Sequence, residues 1–381
     1  MTETQKFFVE CVKAGIKDTK ITILPQNIDY KKLYNLCIAH AVSVIVYYAL
    51  SGVRASLPPA FCNALQSSVE THILRDAQSD ADDKIVVEAF EKAGVKFMPL
   101  KGYNLKHLYP KAGMRFASDC DILIDKKEIK KVRKTVADIG LTVKRHDEHH
   151  DIVYFDATKS VYELHKMLFV GRLGKYFGVG FEKAKLKDGY KYFYELSPED
   201  FYMTLIAHSA YHFVEGGGVG IRHLTDIYIF RKHFALDEDY LAREFDKCGL
   251  REFQLRFEKL ARCFFEEEET DEFTAKLADY VLSSTVLANE DKKGAAEISA
   301  HDSKGKAFFK TVFPPVRNMK FTYPILNKAI ILLPIFYVVR WFRVIFKTPE
   351  RFSRLKDINA VSPEEIKEVK EIRDGLGING L

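Results

Sequence analysis

Apolar positions recur at helical spacing along the first 94 residues of the chain. Residues 60–93 form a long stretch in which apolar and polar residues alternate irregularly. Pro58 and Pro59 precede this stretch, and Gly94 follows it. Proline is tolerated in the first turn of a helix, and glycine is favoured just past its end. We therefore expect a helical region over 1–94 that finishes with one long helix. A second helical region is predicted over 196–290, with helices at 198–214, 221–234, 237–248, 250–268 and 271–285.

The pattern changes between these two regions, where short apolar runs replace the helical period. Runs typical of strands are VKFMPL (95–100), DCDILID (119–125), IVYFD (152–156) and SVYELHKML (160–168). An amphipathic helix that ends at Gly140 separates the second run from the third. The order strand, helix, strand, helix, strand, strand predicts a small α/β core over 95–195.

The most apolar stretch of the chain lies near its end, at 329–346. Pro334, Arg340 and Arg343 interrupt it, and its charge-free part is far shorter than the roughly 20 residues that a membrane span needs. We expect a buried helix there, with weak contact to a membrane surface through 329–346 as the alternative.

Residues 290–310 are polar and are predicted to form a loop. The final part of the chain, 291–381, is therefore expected to consist of a linker, the apolar helix and a charged tail. Ser362 and Glu365 form a capping-box pattern, which predicts a charged, exposed helix in the tail.

Composition narrows the possible classes of protein. The chain has 381 residues, of which 47% are hydrophobic and 29% charged, and this excludes disorder as the main state. The 58 basic and 53 acidic residues give a net charge of +5, which permits an anionic ligand. The basic helix face at 126–134 lacks interleaved aromatic residues, so nucleic acid is not a favoured partner. Six cysteines without CxxC spacing, and an N-terminus without a leader pattern, predict a cytoplasmic protein with free thiols.

An acidic pair opens the second predicted strand. Asp119 and Asp121 point to the same face because side chains alternate along a strand, and their stems lie about 6.6 Å apart. Carboxylates converging from that distance can hold Mg²⁺ (or Mn²⁺). The alternative is that both residues cap a helix or lie in a polar turn. Ile122 and Ile124, on the opposite face, should pack in the core.

A third carboxylate lies in the last predicted strand. Strand periodicity places Glu163 and His165 on one face, opposite Tyr162 and Leu164. Glu163 could complete a metal site, or it could orient or deprotonate the hydroxyl of a substrate. Its alternative is an edge strand on which the side chain faces water.

A phosphate-binding turn is predicted upstream of the acidic pair. Gly102 lies at a strand-to-helix junction, where glycine lets the backbone approach a phosphate and a helix N-terminus favours anions. Lys101 adds a cation. Arg115 could hold a phosphate, or it could pair with Asp119 or Asp121.

Histidines and an arginine in the second helical region are further candidates. His208 and His212 lie one turn apart and could bind a transition metal with Asp226 or His223. The favoured interpretation is that they line a cleft between the helical and α/β parts. The second choice is that they also contact the ligand there, and His212 is the residue predicted to do so. Arg222 follows the glycine-rich 216–220, which could be a lid, an anion nest or a linker, and it could instead pair with Asp226. The His-rich run 146–151 is interpreted as a solvated loop.

The block LKGYNLKHLYPKAGMRFASDCDILID (100–125), followed by VYELH (161–165), resembles the uncharacterised nucleotidyltransferase family of bacteria. That family is related to the minimal nucleotidyltransferases of the polymerase-β superfamily, and the similarity runs from about 30 to 345. The resemblance implies an α+β fold, in which a small mixed-sheet nucleotidyltransferase palm is embedded in N-terminal and C-terminal helical regions. It also implies that Asp119, Asp121 and Glu163 are the catalytic metal ligands. Lys101 and Gly102 stand in place of the superfamily's Gly-Ser phosphate turn, although Tyr103 replaces the serine.

The function expected from these features is metal-dependent transfer of a nucleoside monophosphate from a nucleoside triphosphate (NTP). The acceptor would be a hydroxyl or phosphate on an unidentified small molecule, sugar or protein. Two alternatives are a DxD-type glycosyltransferase using a sugar nucleotide, and a degenerate, non-catalytic nucleotide-binding scaffold. Residues predicted to bind the nucleotide are Lys101, Gly102, Arg115, His165, His212 and Arg222.

Overall fold

The computed structural model contains a five-stranded sheet and a two-stranded hairpin set among many helices. It describes residues 1–146, 149–215, 219–284, 309, 312–314, 316–347, 362–379 and 381. The predicted loop at 290–310 lies outside these residues except for Phe309, and so do the glycines at 216–218.

Four helices form the N-terminal region: α1 Glu3–Ile16, α2 Tyr30–Ala39, α3 Ser43–Ala49 and α4 Pro59–Ala93. The long helix predicted from its flanking residues is confirmed. Pro59 occupies the first turn of α4, and Gly94 follows the helix in the left-handed conformation at φ 68°.

The sheet has five strands: β1 Phe97–Pro99, β2 Cys120–Ile124, β3 Leu141–His146, β4 His150–Phe155 and β5 Val161–His165. Their order is β1-β2-β5-β4-β3. β2 and β5 are parallel, whereas the other neighbours are antiparallel. Two helices belong to this part, α5 Lys101–Leu105 and α6 Ile129–Asp138. The predicted α+β class, with a small mixed sheet between helical regions, is confirmed.

Four elements of this part were not predicted. β3 is an edge strand whose last four side chains are exposed, so its sequence lacks the alternation that marks a half-buried strand. α7 Gly171–Phe177 and the hairpin of β6 Lys185–Leu186 with β7 Tyr194–Glu195 are too short to show a period.

The two faces of the sheet differ in polarity. Ile122, Ile124, Tyr162 and Leu164 pack in one apolar cluster with side chains from the last part of α4 and from α6. The predicted core positions of Ile122 and Ile124 are therefore confirmed. Because side chains alternate, the polar residues between them face the other side of the sheet.

Five helices follow the sheet: α8 Pro198–Glu215, α9 Ile221–His233, α10 Glu238–Cys248, α11 Arg251–Phe265 and α12 Glu272–Ser283. Their bounds agree with the predicted ones to within three residues. Their buried side chains join those of α1, α2, α3 and the first part of α4 in one hydrophobic core. The helices before and after the sheet thus stabilise each other.

The final described helices are α13 Val316–Thr322, α14 Leu333–Lys347 and α15 Pro363–Gly375. The predicted capping box is present, with Ser362 and Glu365 each bonded to the other's backbone N–H. The tail helix α15 was predicted to be exposed, but this is only partly correct. Val369 and Ile372 are buried, and the helix contacts α12.

The prediction that the apolar segment 329–346 forms a buried helix is wrong. The helix forms, but Ile331 is 84% exposed and several other apolar side chains around it face outward. Among the described helices, none combines the length and the apolar character needed to cross a membrane.

Candidate active site

Three side chains converge where β2 and β5 run parallel. The strand register places Asp121 opposite Glu163 and Leu123 opposite His165, so the two carboxylates and the imidazole share one face. One ligand atom from each of Asp121, Glu163 and His165 lies within 4.8 Å of the others. In the described parts of the chain, no other three His, Cys, Asp or Glu residues meet this closely.

The alternative interpretation of Glu163, as a residue on a water-facing edge strand, is wrong. β5 lies in the middle of the sheet, between β2 and β4. The Glu163 side chain is 26% exposed and lies 3.6 Å from His165 Nε2. Asp121 likewise lies within a strand and caps no helix.

Asp121 is held in its charged form by two neighbours. His165 Nε2 lies 2.7 Å from Oδ1, and Lys101 Nζ lies 3.0 Å from Oδ2. Burial opposes ionisation of Asp121, but the charge of Lys101 and the hydrogen bond to His165 outweigh it and lower its pKa below the usual range. Both carboxylate oxygens therefore already contact positive or donor groups.

The other two predicted carboxylates are shifted in the opposite direction. Burial, and then the negative charge of Asp121, raise the pKa of Glu163 and that of Asp119. Asp119 precedes β2 and accepts a hydrogen bond of 3.3 Å from the Ser118 hydroxyl, and it lies outside the close group of three. Its role as a ligand stays a prediction.

The donor set fits a divalent cation. Carboxylate oxygens are the ligands that Mg²⁺ and Mn²⁺ prefer, and an imidazole nitrogen is compatible with Mn²⁺. Carboxylates that are crowded and partly desolvated gain most from an added positive charge, because the cation relieves their mutual repulsion. Asp121 and Glu163 are crowded, partly desolvated carboxylates, and His165 adds an imidazole nitrogen.

The Lys101–Gly102 turn is built differently from the expectation. Lys101 has a φ of 32°, which is uncommon for a residue other than glycine. A Cβ atom on Gly102 would lie 2.8 Å from Arg115 Nη1, so glycine here gives room to that guanidinium. α5 has only five residues, so we assign no anion site to its N-terminus.

Arg115 forms a buried ion pair with a residue 111 positions away. Its Nε and Nη2 atoms donate to the two carboxylate oxygens of Asp226 at 3.2 and 3.0 Å. The Tyr109 hydroxyl also donates to Asp226, at 2.7 Å. The suggested pairing of Arg115 with Asp119 or Asp121 is therefore wrong, and its charge is already neutralised.

The alternative interpretation of Arg222, as the ion-pair partner of Asp226, is wrong too. The Arg222 Nη1 atom donates to the Phe116 carbonyl at 2.8 Å, whereas its buried Nε atom has no hydrogen-bond partner among the described residues. It forms no ion pair with a carboxylate in the described residues. Burial, and then the charge of Arg115, lower the pKa of Arg222 to about 10. At neutral pH the guanidinium is charged and lacks a carboxylate partner.

A cavity of about 570 Å³ joins these groups. Its size lies within the range of small-molecule sites. All nine predicted site residues line it, namely Lys101, Gly102, Arg115, Asp119, Asp121, Glu163, His165, His212 and Arg222. The carboxylates come from the sheet, and Arg222 comes from the start of α9.

Three histidines form the helical wall of the cavity. The rings of His208 and His212 are 4.2 Å apart, and His212 lies 5.8 Å from His223. Burial, and then the charge of Lys101, lower the pKa of His212 to about 4, so it is neutral at pH 7. This arrangement matches the cleft-lining interpretation, and these histidines are not among the described groups that could hold a metal.

Sequence reasoning missed one aromatic feature of the cavity. His72, on α4, stacks on Phe116 with ring centroids 4.1 Å apart and an angle of 12°. Both side chains line the cavity. His72 lies in a long, mixed helix whose pattern does not distinguish it from its polar neighbours.

The interpretation of 146–151 as a solvated loop is wrong for the residues that the structure describes there. His146 ends β3, and Asp151 is buried in β4. Asp151 pairs with Arg133 at 2.8 Å and with Lys166 at 2.6 Å, and lies 3.0 Å from His146 Nδ1. This cluster is structural.

A family model described as "Uncharacterised nucleotidyltransferase" matches residues 26–266. The match confirms the family resemblance inferred from 100–125 and 161–165, although it ends at residue 266 and not near 345. It includes all five strands β1–β5 and the nine cavity residues named above. Comparison with curated proteins and with solved structures finds no match.

Proposed function

The chain belongs to the uncharacterised nucleotidyltransferase family, and on that premise we propose that it transfers a nucleoside monophosphate from an NTP to a hydroxyl or phosphate acceptor with the help of a divalent metal. The family supports the class of reaction. The observation that carries the finer proposal is the convergence of Asp121, Glu163 and His165 on a cavity that also contains the cation of Arg222.

Asp121, Glu163 and His165 would hold the metal, and we propose Asp119 as an additional ligand. Bound Mg²⁺ or Mn²⁺ would supply positive charge that stabilises the attacking and leaving oxygens of the phosphoryl group. Lys101 keeps Asp121 ionised by contacting its Oδ2 atom. His165 Nε2 lies 2.7 Å from the other oxygen of the same carboxylate, and it would exchange this contact for the metal, because one nitrogen cannot both donate a proton and bind a cation.

Arg222 is the better candidate for binding the triphosphate, in preference to Arg115. Arg222 is partly buried and has no carboxylate partner in an ion pair among the described residues. Such a cation is costly, and an anionic ligand removes that cost. Arg115 offers little to a phosphate because Asp226 already accepts two of its hydrogen bonds. Its role is to hold the cavity wall behind Gly102.

Glu163 is our candidate for orienting or deprotonating an acceptor hydroxyl. Both oxygens of Asp121 have close partners, whereas the Glu163 side chain is 26% exposed and lines the cavity, where an acceptor hydroxyl can reach it. In the transfer, the acceptor oxygen forms a bond to the α-phosphorus and the α–β phosphoanhydride bond breaks. Pyrophosphate leaves, and the hydroxyl proton passes to Glu163.

The experiment is to incubate the full chain with each NTP, labelled at the α-phosphate, and Mg²⁺ or Mn²⁺. Pyrophosphate release and label transfer to a small-molecule extract, or to the protein itself, are measured. Asp121→Asn and Glu163→Gln should each lower pyrophosphate release by roughly 100-fold or more. Arg222→Gln should mainly weaken binding of a non-hydrolysable NTP.

Exposed residues provide matched controls. Asp138→Asn changes a surface carboxylate on α6, and Arg243→Gln changes an exposed arginine on α10, so both should keep wild-type activity. Wild-type activity in Asp121→Asn would refute the proposed site. Release of a nucleoside diphosphate from a sugar nucleotide would favour the glycosyltransferase, and NTP binding without turnover would favour the scaffold.

A further inference from the structure

α14 and the turn before it present an apolar face to solvent. Ile331 is 84% exposed and Phe342 is 60% exposed. The exposed apolar side chains recur at spacings of four, three, one and three residues, which places them on one side of a helix. They are Ile331, Ile335, Val338, Val339 and Phe342, and we call them the apolar face.

The opposite side of α14 is anchored by polar groups. The Tyr337 hydroxyl donates to the Pro314 carbonyl at 2.7 Å, and Trp341 Nε1 donates to the Val312 carbonyl at 2.9 Å. The Phe313 ring lies 5.0 Å from that of Trp341. These contacts direct the Tyr337 hydroxyl and the Trp341 indole N–H toward residues 312–314. The outward orientation of the apolar face is thus set by specific hydrogen bonds, and clustered exposed apolar groups of this kind mark an interaction surface.

The segment that carries the apolar face has charges of a single sign. Residues 316–347 include no acidic residue, although the whole chain has 53. Lys328 and Arg343 are exposed beside exposed apolar side chains. The basic residues of this stretch are Arg317, Lys320, Lys328, Arg340, Arg343 and Lys347.

This combination favours one kind of partner. A second copy of the same surface would bring like charges together without acidic groups to pair them. An anionic lipid surface accepts the apolar side chains among its acyl chains and the basic residues among its headgroups. With 15 residues, α14 is about 22 Å long, short of the roughly 30 Å of a bilayer core, so it would lie in the plane of the surface.

We propose that residues 316–347 bind peripherally to the surface of an anionic lipid membrane, with the apolar face inserted and the flanking basic residues at the headgroups. The proposal is independent of the reaction assigned to the cavity, since no residue of 316–347 lines it.

The test is flotation of the purified full chain with two kinds of vesicle. One is phosphatidylcholine alone, and the other contains about one-third phosphatidylglycerol. The protein should float with the anionic vesicles and bind at least about tenfold more weakly to the neutral ones. Raising sodium chloride from about 0.1 M to about 0.5 M should weaken the binding, because salt screens the attraction of lysine and arginine to the lipid.

Single substitutions distinguish binding through the apolar face from nonspecific hydrophobic adsorption. Phe342→Glu and Ile335→Glu should each lower binding to anionic vesicles by about tenfold or more, because each places a negative charge where an apolar side chain would insert. Both side chains face outward, so circular dichroism should match wild type. The matched control is Leu74→Glu on α4, where the leucine is also 60% exposed, and it should leave binding unchanged.

Four outcomes would overturn the proposal. These are no flotation of the wild type, equal binding to neutral vesicles without salt dependence, and equal loss of binding in Leu74→Glu. The fourth is a concentration-dependent dimer in sedimentation velocity that Phe342→Glu abolishes, which would assign the apolar face to a second copy of the chain.

Discussion

The buried pair of Arg115 and Asp226 provides a quantitative test of how the cavity wall is held. Arg115→Met removes the guanidinium but keeps a long, flexible apolar side chain of similar reach. The Asp226 carboxylate, 8% exposed, would keep only the Tyr109 hydroxyl from among its present partners. The variant therefore leaves a buried charge largely uncompensated.

Removing one partner of a buried ion pair typically costs about 3–5 kcal/mol, because the remaining charge stays desolvated. We expect that loss in the free energy of unfolding of Arg115→Met. The double variant Arg115→Met/Asp226→Leu removes both charges, and Tyr109 can still bond to Thr225 Oγ1, now 2.9 Å away. Its stability should return to within about 1 kcal/mol of the wild type, or exceed it.

Urea denaturation followed by far-ultraviolet circular dichroism measures all three proteins at pH 7. Lys134→Met, which breaks the exposed pair of Lys134 with Asp138 one turn away on α6, is the matched control. It should cost no more than about 0.5 kcal/mol. A loss below about 1 kcal/mol in Arg115→Met, or a double variant as unstable as the single one, would refute the assigned role of the pair.

Three further predictions concern stability and pH. Gly102→Ala should cost about 1–3 kcal/mol, because the new Cβ atom would lie 2.8 Å from a guanidinium that Asp226 holds in place; an unchanged melting temperature would contradict this. Gly15→Ala should cost a similar amount in urea denaturation, although alanine favours helices, because its Cβ atom would lie 2.5 Å from the Ile45 carbonyl oxygen; a more stable variant would contradict the close packing of α1 on α3. The lowered pKa of His212, about 4, means that the unfolded chain binds a proton more readily between pH 6.5 and 4, so stability falls as pH falls. Neutral His212 should account for about 2 kcal/mol of the loss between pH 7.5 and 5, and His212→Phe should reduce that loss; equal acid sensitivity of the variant would show that His212 is not responsible.

Local signals in the sequence predicted most of the helices. Proline at the start of α4, glycine after it and the Ser362 cap of α15 act within one turn of the residues that they affect, so sequence alone reveals them. β3 escaped prediction because an exposed edge strand needs no apolar alternation. The exposure of α14 was misjudged because an apolar pattern identifies a helix without saying which of its sides other residues cover.

The candidate site results partly from local sequence patterns and partly from the tertiary arrangement of distant segments. Strand periodicity placed Glu163 and His165 on one face, but their closeness to Asp121 results from the parallel register of β2 and β5, which no short pattern specifies. The partner of Arg115 lies 111 residues away, and the helical spacing of Arg222 and Asp226 pointed to the wrong pair. Ion pairs between distant segments are chosen by tertiary packing, and sequence spacing does not encode that choice.

The long helix α4 takes part in both large hydrophobic clusters. Phe61, Leu65 and Val69 belong to the core shared by the helical regions, while Val86 and Phe90 pack beneath the sheet. The length of α4 therefore sets the distance and the relative rotation between the helical core and the sheet. One residue inserted near its middle would turn one end against the other by about 100° and lengthen it by about 1.5 Å, whereas seven would nearly restore the facing. The number of residues in this helix thus determines whether the sheet's carboxylates and the cation of α9 meet across the same cavity.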